Sequence, residues 1–385
     1  MFITLKNTVI MSKNLIYLTY QTFPATTANT IQTIDNVKYL SQKGYKVKVL
    51  FPLRSKSSSD NINILKDHYE FNEEIEFKGL SHKLPFGKYN ILEKYLFTIS
   101  HFLWSKKACK SFTLKESNEI QFFTRSDWVF YFLSKKKLNV IFECHQLSKT
   151  RKWVLRNSIE YPNSKVIFLN ENLKLDSGID KKKYQKKMRV FPNGVDAKLF
   201  NSKEIRDPNK IIFTGNLKRF ESDRGLYFII DSFKNDRMPK ECTLKIIGGS
   251  PEETKILREY VSKYKLDNKV EIVNRMKRVS TIVNIQKSGI GLLINSGNNP
   301  HSKKYTSPLK YFEFLFGGLN VVAVDFLSHR TLPFSENISF FKENDTDSFI
   351  DSIKEALKSK QIEISELNEI TLSSRISKID SFIKI

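Results

Sequence analysis

The sequence predicts an α/β protein made of two doubly wound, Rossmann-like parallel sheets. Two observations carry this reading. Short apolar runs alternate with segments of helical periodicity from end to end, and the alternation restarts after residues 196–209, a stretch with no long apolar run. The length, 385 residues, suits two domains of ordinary size.

Each element follows in order. Asn14–Thr19 (NLIYLT) reads as the first strand, and the polar loop TFPATTAN follows it. Ile31, Ile34, Val37 and Leu40 then recur at helical spacing, and Gly44 stands where a helix-ending glycine belongs. Lys46–Phe51 (KVKVLF) completes a βαβ unit. Val140–Cys144 (VIFEC) and Lys165–Leu169 (KVIFL) are further strands of the first half. Asn90–Trp104 reads as a broadly apolar helix. It either packs on the first sheet, which is the expectation, or lies on an anionic membrane, since Lys88 and Lys106–Lys107 flank it. The second half offers strands at Lys210–Thr214, Thr243–Ile247, Lys269–Val273, Ile290–Ile294 and Asn320–Val324, with helices near 225–235, 252–265, 279–287 and 308–316. The expected organisation is an N-terminal extension (1–12), a first domain (13–195), a linker (196–209), a second domain (210–365) and a C-terminal helix (366–385). That last helix cannot extend the second sheet and is free to pack back on the first domain.

Composition excludes several classes. Apolar residues at 40% and aromatics at 12% are enough for real cores, which rules out wholesale disorder. No run approaches eighteen apolar residues, so no bilayer-spanning helix is expected. The start lacks a basic flank, an apolar run and a small-residue cleavage site, so no secretory leader is expected, and Met11 could serve as the initiator. Cys109, Cys144 and Cys242 form no CxxC and are odd in number, which fits a reducing cytoplasm rather than a disulfide framework or structural zinc. The six histidines, at 68, 82, 101, 145, 301 and 329, form no HExxH or HxxxH, and no metal or other cofactor is expected. The net charge of +23 suits an anionic substrate, an anionic membrane surface or nucleic acid, but a solvated lysine-rich surface explains it equally well. A nucleic-acid binder would show a recognisable module, or basic residues interleaved with stacking aromatics, and neither is present, so no nucleic-acid partner is expected.

Chemistry concentrates in three segments. In HSKKYTSPLKYFEFLFGGLNVVAVD (301–325), Ser307 is a favoured N-cap and Pro308 a favoured first helical residue, at the carboxyl edge of strand 290–294. A helix start there favours a phosphate. Glu313 lies among Leu309, Tyr311, Phe312, Phe314, Leu315 and Phe316. A carboxylate so placed needs donors, which ribose hydroxyls could supply, or else it pairs with Lys310 three residues earlier. In TGNLKRFESDRGL (214–226), Lys218, Arg219 and Arg224 cluster in a loop opening onto a helix, where cations could neutralise a departing pyrophosphate; a solvated loop reads equally well. VFPNGVDAKLF (190–200) contains an Asn193-Gly194 turn. Asp345-Thr346-Asp347 spells DxD, a metal signature elsewhere, but its place before a helical pattern reads as an N-cap. Lys181–Lys183 with Lys186–Arg189 form a basic patch.

Taken in order, PNGVD with Phe200, the GN…RG loop, IIGGSPEE ending at Glu253, and SPLKYFEFLFGGLNVVAVD resemble the successive landmarks of the retaining glycosyltransferases of family 4. The resemblance spans roughly residues 14–360. It implies a GT-B fold, two Rossmann-like domains facing across a cleft, and metal-independent sugar transfer from a UDP- or GDP-sugar to a glycan or lipid-linked acceptor. It further implies a cytoplasmic enzyme of surface polysaccharide biosynthesis, peripheral on the inner face of the membrane. By position in the motifs, Glu313 matches the second glutamate of EX7E, which holds the donor ribose. Ser307, Pro308 and Leu309 match the helix start that meets the donor phosphates. Arg224 matches the pyrophosphate-contacting lysine, within a loop that also carries Gly215. His145, in FECH, looks like the first-domain histidine near the sugar or acceptor. Two departures stand out. Tyr305 replaces the first EX7E glutamate, and Asn216 replaces the arginine beside the loop glycine, leaving Lys218 or Arg219 to substitute. A nucleotide-sugar 2-epimerase shares this architecture, but would need paired catalytic carboxylates and histidines that have no place here.

Overall fold

The computed structural model describes residues 13–54, 57–82, 93–116, 119–200, 204–219 and 222–384. The extension 1–12, Lys88 and Asn90–Leu92 lie outside the described residues. The chain forms two compact units: Met1–Phe168, Lys174–Val190 and Ile376–Ile385 in the first, and Leu169–Leu173 with Phe191–Arg375 in the second.

Unit one is a seven-stranded parallel sheet in the order β3-β2-β1-β4-β5-β6-β7. Its strands are β1 (Lys13–Leu18), β2 (Tyr45–Leu53), β3 (Ile75–Ser81), β4 (Ile120–Thr124), β5 (Val140–Cys144), β6 (Ser164–Phe168) and β7 (Met188–Val190). The helices are α1 (Ala28–Gln42), α2 (Ile62–Tyr69), α3 (Glu93–Ala108), α4 (Asp127–Lys135) and α5 (Lys149–Ser158), while α6 (Glu171–Asp176) is divided, with Glu171–Leu173 grouped in unit two and Lys174–Asp176 in unit one. β5 is buried at every position, as a central strand covered on both faces must be. β3 is an edge strand, and its outward positions Glu76 and Lys78 are polar. The order reverses direction between β1 and β4, which makes their carboxyl ends the switch point where ligands of such sheets bind.

Unit two repeats the plan with six parallel strands in the order β12-β11-β8-β13-β14-β15. These are β8 (Asp207–Thr214), β11 (Thr243–Ile247), β12 (Val270–Val273), β13 (Ser288–Leu293), β14 (Asn320–Val324) and β15 (Ile338–Phe341). β9 (Lys218–Arg219) and β10 (Ser222–Asp223) form a separate small antiparallel pair. Its helices are α7 (Leu226–Ser232), α8 (Pro251–Lys263), α9 (Arg278–Gln286), α10 (Pro300–Lys304), α11 (Leu309–Phe316), α12 (Leu327–Arg330) and α13 (Thr346–Lys358), and α14 (Leu372–Lys384) closes the chain. One core joins Ile211, Phe213, Leu244 and Ile246 to α7, α8 and α13, and another sets α11 against Ile212, Leu293 and Val321. The switch point here lies between β8 and β13.

The boundary differs from the expected linker. The division falls between Val190 and Phe191, and residues 207–209 already belong to β8. Val195 is buried, its N–H donates to Ile370 O at 3.0 Å, and its carbonyl accepts from Leu372 N at 2.8 Å. These backbone bonds fasten residues 191–200 into unit two although the segment has few apolar residues. The last ten residues group with unit one, where Tyr45 OH donates to Asp380 Oδ1 at 2.7 Å and Lys165 Nζ donates to Phe382 O at 2.9 Å.

Candidate functional site

In unit two, β8 delivers Gly215 to the switch point with φ of 137°. Gly248, after β11, has φ of 154°, and a Cβ on it would lie 1.7 Å from Gly215 O. The two loops therefore touch backbone to backbone, which only glycine permits. Arg224 ties the switch point together. Its Nη2 donates to Ile294 O at 2.9 Å and Asn295 Oδ1 at 2.8 Å, its Nη1 donates to Asn216 O at 3.2 Å, and the guanidinium lies 5.3 Å from the centre of the Phe213 ring. Asn216 Oδ1 accepts from Arg275 Nη2 at 2.5 Å. Asp223, Arg224, Phe228, Asn295, Glu343 and Asn344 are among the residues lining a cavity of about 310 Å³ beside this point. Lys218 is exposed on the β9–β10 hairpin, and of Arg219 only the backbone is described.

α11 carries the candidate ribose carboxylate. Glu313 is 3% exposed, with Lys310 Nζ at 2.8 Å and Arg278 Nη2 at 3.6 Å. Burial pushes its carboxyl pKa up, but the Lys310 and Arg278 cations outweigh burial and hold it below the usual value. So the pairing with Lys310 is formed, and a second cation joins it from α9. A carboxylate offers about four lone-pair directions, so two cations do not exhaust its capacity.

The helix start differs from the expected cap. Pro308 is the N-cap residue, Leu309 is the first helical residue, and no side chain caps the helix. Ser307 instead receives the Asn193-Gly194 turn: Asn193 N donates to Ser307 Oγ at 3.2 Å and Asn193 Nδ2 to Ser307 O at 2.6 Å. The turn and the helix start thus form one assembly inside unit two. Tyr305 follows α10, where its N–H donates to His301 O at 3.0 Å.

In unit one, β5 brings Glu143 and His145 to its carboxyl end. Glu143 is fully buried and bonded to His145 Nε2, and it also accepts from Gln32 Nε2 at 3.5 Å and Asn36 Nδ2 at 3.4 Å, both from α1. Arg125, after β4, donates from Nη2 to His145 Nδ1 at 2.8 Å and from Nη1 to Asn29 O at 2.9 Å. An arginine can only donate, so Nδ1 is the acceptor and Nε2–H faces Glu143. Both ring nitrogens are engaged, and the ring reaches a ligand only by exchanging one of these partners.

Asp345 caps α13 by accepting from Ser348 N at 2.9 Å, and Asp347 pairs with Arg237, so DxD is part of a helix start. Sequence reasoning missed Glu143, Arg125, Gln32, Asn36, Arg278 and Asn295. Three of these left a signal. Glu143 is a charge inside an apolar strand, and Gln32 and Asn36 are polar residues four apart on a helix that also needs a buried face. Arg125, Arg278 and Asn295 left none.

No family model matches the chain, and no curated protein matches it. Solved structures do. A glycosyltransferase from Rickettsia africae aligns over 97% of this chain and 98% of its own, with TM-score 0.66 and 15% identity. Anabaena HepE in complex with UDP and glucose aligns over 96% and 95%, with TM-score 0.58 and 14% identity. Sucrose-phosphate synthase from Thermosynechococcus elongatus aligns over 96% and 95%, with TM-score 0.61 and 14% identity. The likeness at such identities is one of fold. With two Rossmann-like parallel sheets of seven and six strands, the chain has the GT-B fold.

Proposed function

We propose that the chain is a retaining glycosyltransferase of the family 4 kind, which moves a sugar from a UDP- or GDP-sugar to a glycan or lipid-linked acceptor without a metal ion. The observation that carries this reading is Glu313, an ionised carboxylate 3% exposed on the helix that starts against the Asn193 turn. Anabaena HepE, which shares the fold, is a complex with UDP and glucose, and that supports a nucleotide-sugar donor. In this reading Glu313 accepts from the donor ribose hydroxyls, and the backbone at Ser307, Pro308 and Leu309 meets the diphosphate. Arg224, with Lys218 or Arg219, neutralises charge as the bond between the anomeric carbon and the phosphate oxygen breaks. The acceptor oxygen forms the new bond to that carbon and passes its proton to the departing phosphate. Gly215 lets the loop approach the donor, and Tyr305 stands where the family has its sugar-contacting glutamate. His145, held by Arg125, contacts the sugar or the acceptor. The enzyme works in surface polysaccharide assembly, in the cytoplasm on the inner face of the membrane. A panel of nucleotide-sugars, followed by mass spectrometry for release of UDP or GDP, tests this. Turnover of one member is expected, and inertness toward all of them together with no thermal shift by UDP or GDP would overturn it.

A further inference from the structure

We propose that the outer face of α3, α4 and α5 in unit one docks on an anionic lipid bilayer. The first observation is that α3 leaves an apolar line on its outer side. Its sheltered side carries Trp104 and Ala108 together with Ser100, His101 and Ser105, where Ser100 Oγ bonds Tyr20 OH at 2.7 Å and His101 Nε2 bonds Ser126 Oγ at 2.5 Å. Its outer side carries Tyr95, Ile99 and Leu103, which are 71%, 54% and 45% exposed. Their i, i+4, i+8 spacing places them in one line along the helix. With Trp104 and Ala108 already filling the inner face, this second apolar line is not spent on the fold of unit one.

The second observation is that the apolar line continues across neighbouring helices. Phe102, adjoining Leu103, packs edge-on against Trp128 of α4 at 4.9 Å between ring centres. Trp128 meets Tyr131 at 6.0 Å, and Tyr131 meets Trp153 of α5 at 5.4 Å. These rings are half-buried until Trp153, which is 43% exposed. Large amphipathic rings in such a row suit the boundary between lipid headgroups and acyl chains.

The third observation selects the occupant. Exposed cations surround the row: Lys106 at the end of α3, Lys135 at the end of α4 with its Nζ 5.2 Å from the Tyr131 ring centre, and Lys149 and Arg156 on α5. Among the described side chains of the three helices the one acid is Asp127, which is buried and paired with Arg151 at 3.3 Å. Apolar side chains ringed by cations complement an anionic membrane surface. Among the described residues no helix is long and apolar enough to cross a membrane, so the face would lie on the bilayer. This inference gives residues to the peripheral placement proposed above. Its test reads lipid binding rather than sugar transfer, so either reading can fail alone.

The full chain is sedimented with vesicles of phosphatidylcholine alone and with phosphatidylglycerol added, at low and at high salt. Co-sedimentation only with the phosphatidylglycerol vesicles, weakened by salt, is expected. The double variant Ile99→Glu, Leu103→Glu should lower the partition coefficient by about tenfold or more. The triple variant Lys149→Gln, Lys152→Gln, Arg156→Gln should bind more weakly and with a shallower salt dependence. Trp153 fluorescence should shift to the blue with anionic vesicles, and the shift should shrink in Trp153→Phe. All these positions are at least partly exposed, and unchanged melting temperatures separate lost docking from lost folding. Failure to bind phosphatidylglycerol vesicles would overturn the proposal, as would wild-type partitioning of the double variant. A lipid-free dimer dissolved by Ile99→Glu, Leu103→Glu would overturn it in favour of a second copy on this face.

Discussion

Glu313→Gln keeps the shape of the side chain and removes its charge. In the native site the carboxylate sits 2.8 Å from Lys310 Nζ and 3.6 Å from Arg278 Nη2. At an effective dielectric constant of about 20, the closer pair alone attracts by about 6 kcal/mol. Burying the carboxylate takes back several kcal/mol, and both cations are partly solvated, at 33% and 26% side-chain exposure, so the net term is far smaller. The amide oxygen still accepts from Lys310, so the variant loses the charge assistance but not the contact, about 1–2 kcal/mol. For a unit of this size that lowers the melting temperature by about 2–8 °C. The sign with pH follows from the depressed carboxyl. Its stabilisation is present above the unfolded value of 4.5 and is lost as pH falls through the lower folded value, so the acid limb should flatten in the variant. In the proposed role, with the donor ribose held by Glu313, the functional effect is larger. Losing a ribose hydroxyl bond to a charged acceptor costs about 1.5–3 kcal/mol, which weakens UDP or GDP by about 10- to 100-fold. Thermal-shift titration of both proteins with each nucleotide reads both effects. Equal nucleotide affinity in Glu313→Gln and wild type would remove Glu313 from the binding site.

Three further outcomes are expected. Arg224→Ala removes the bonds to Ile294 O and Asn295 Oδ1 and should slow nucleotide-sugar turnover by on the order of a hundredfold, measured as kcat/KM; a wild-type rate would return Arg224 to a purely structural role. Burial, partly opposed by Asp127, holds the His101 pKa at about 4, below its unfolded 6.5. The unfolded chain therefore takes up the proton first as pH falls, and about 3 kcal/mol of unit-one stability should disappear between those values. Denaturant melts at stepped pH should show a shallower loss in His101→Gln, and parallel curves would contradict the assignment. Gly248→Ala meets both the left-handed backbone and Gly215 O, and should destabilise by more than about 3 kcal/mol in chemical denaturation; a near-neutral change would mean the two loops separate freely.

Much of the fold is legible because parallel strands leave continuous apolar runs. LIYL, VKVLF, VIFEC and KVIFL in the first half are such runs, and the five strands expected in the second half all fall on β8, β11, β12, β13 and β14. The strands left out have physical excuses. β3 alternates polar and apolar residues at an exposed edge, β4 (IQFFT) and β15 (ISFF) are short with polar residues inside, and β7 has three residues. The linker was misplaced because the 191–200 segment is held by backbone bonds at Val195, which composition does not record. Glu313 and Arg224, the residues on which the proposed site rests, stand out in the sequence as charges among apolar or loop residues. The cap at Ser307 was not, because the hydroxyl is taken by Asn193, 114 positions away in sequence. The pairing of His145 with Glu143 and Arg125 likewise needs β4, β5 and α1 to be brought side by side.

A crystal structure of the wild-type chain soaked with UDP, and separately with GDP, bears most directly on the central idea. Ribose hydroxyls within hydrogen-bonding distance of the Glu313 carboxylate, and a diphosphate against the backbone at Ser307–Leu309, are expected with one nucleotide or both. A nucleotide bound with high occupancy elsewhere, leaving Glu313 with only Lys310 and Arg278, would contradict it.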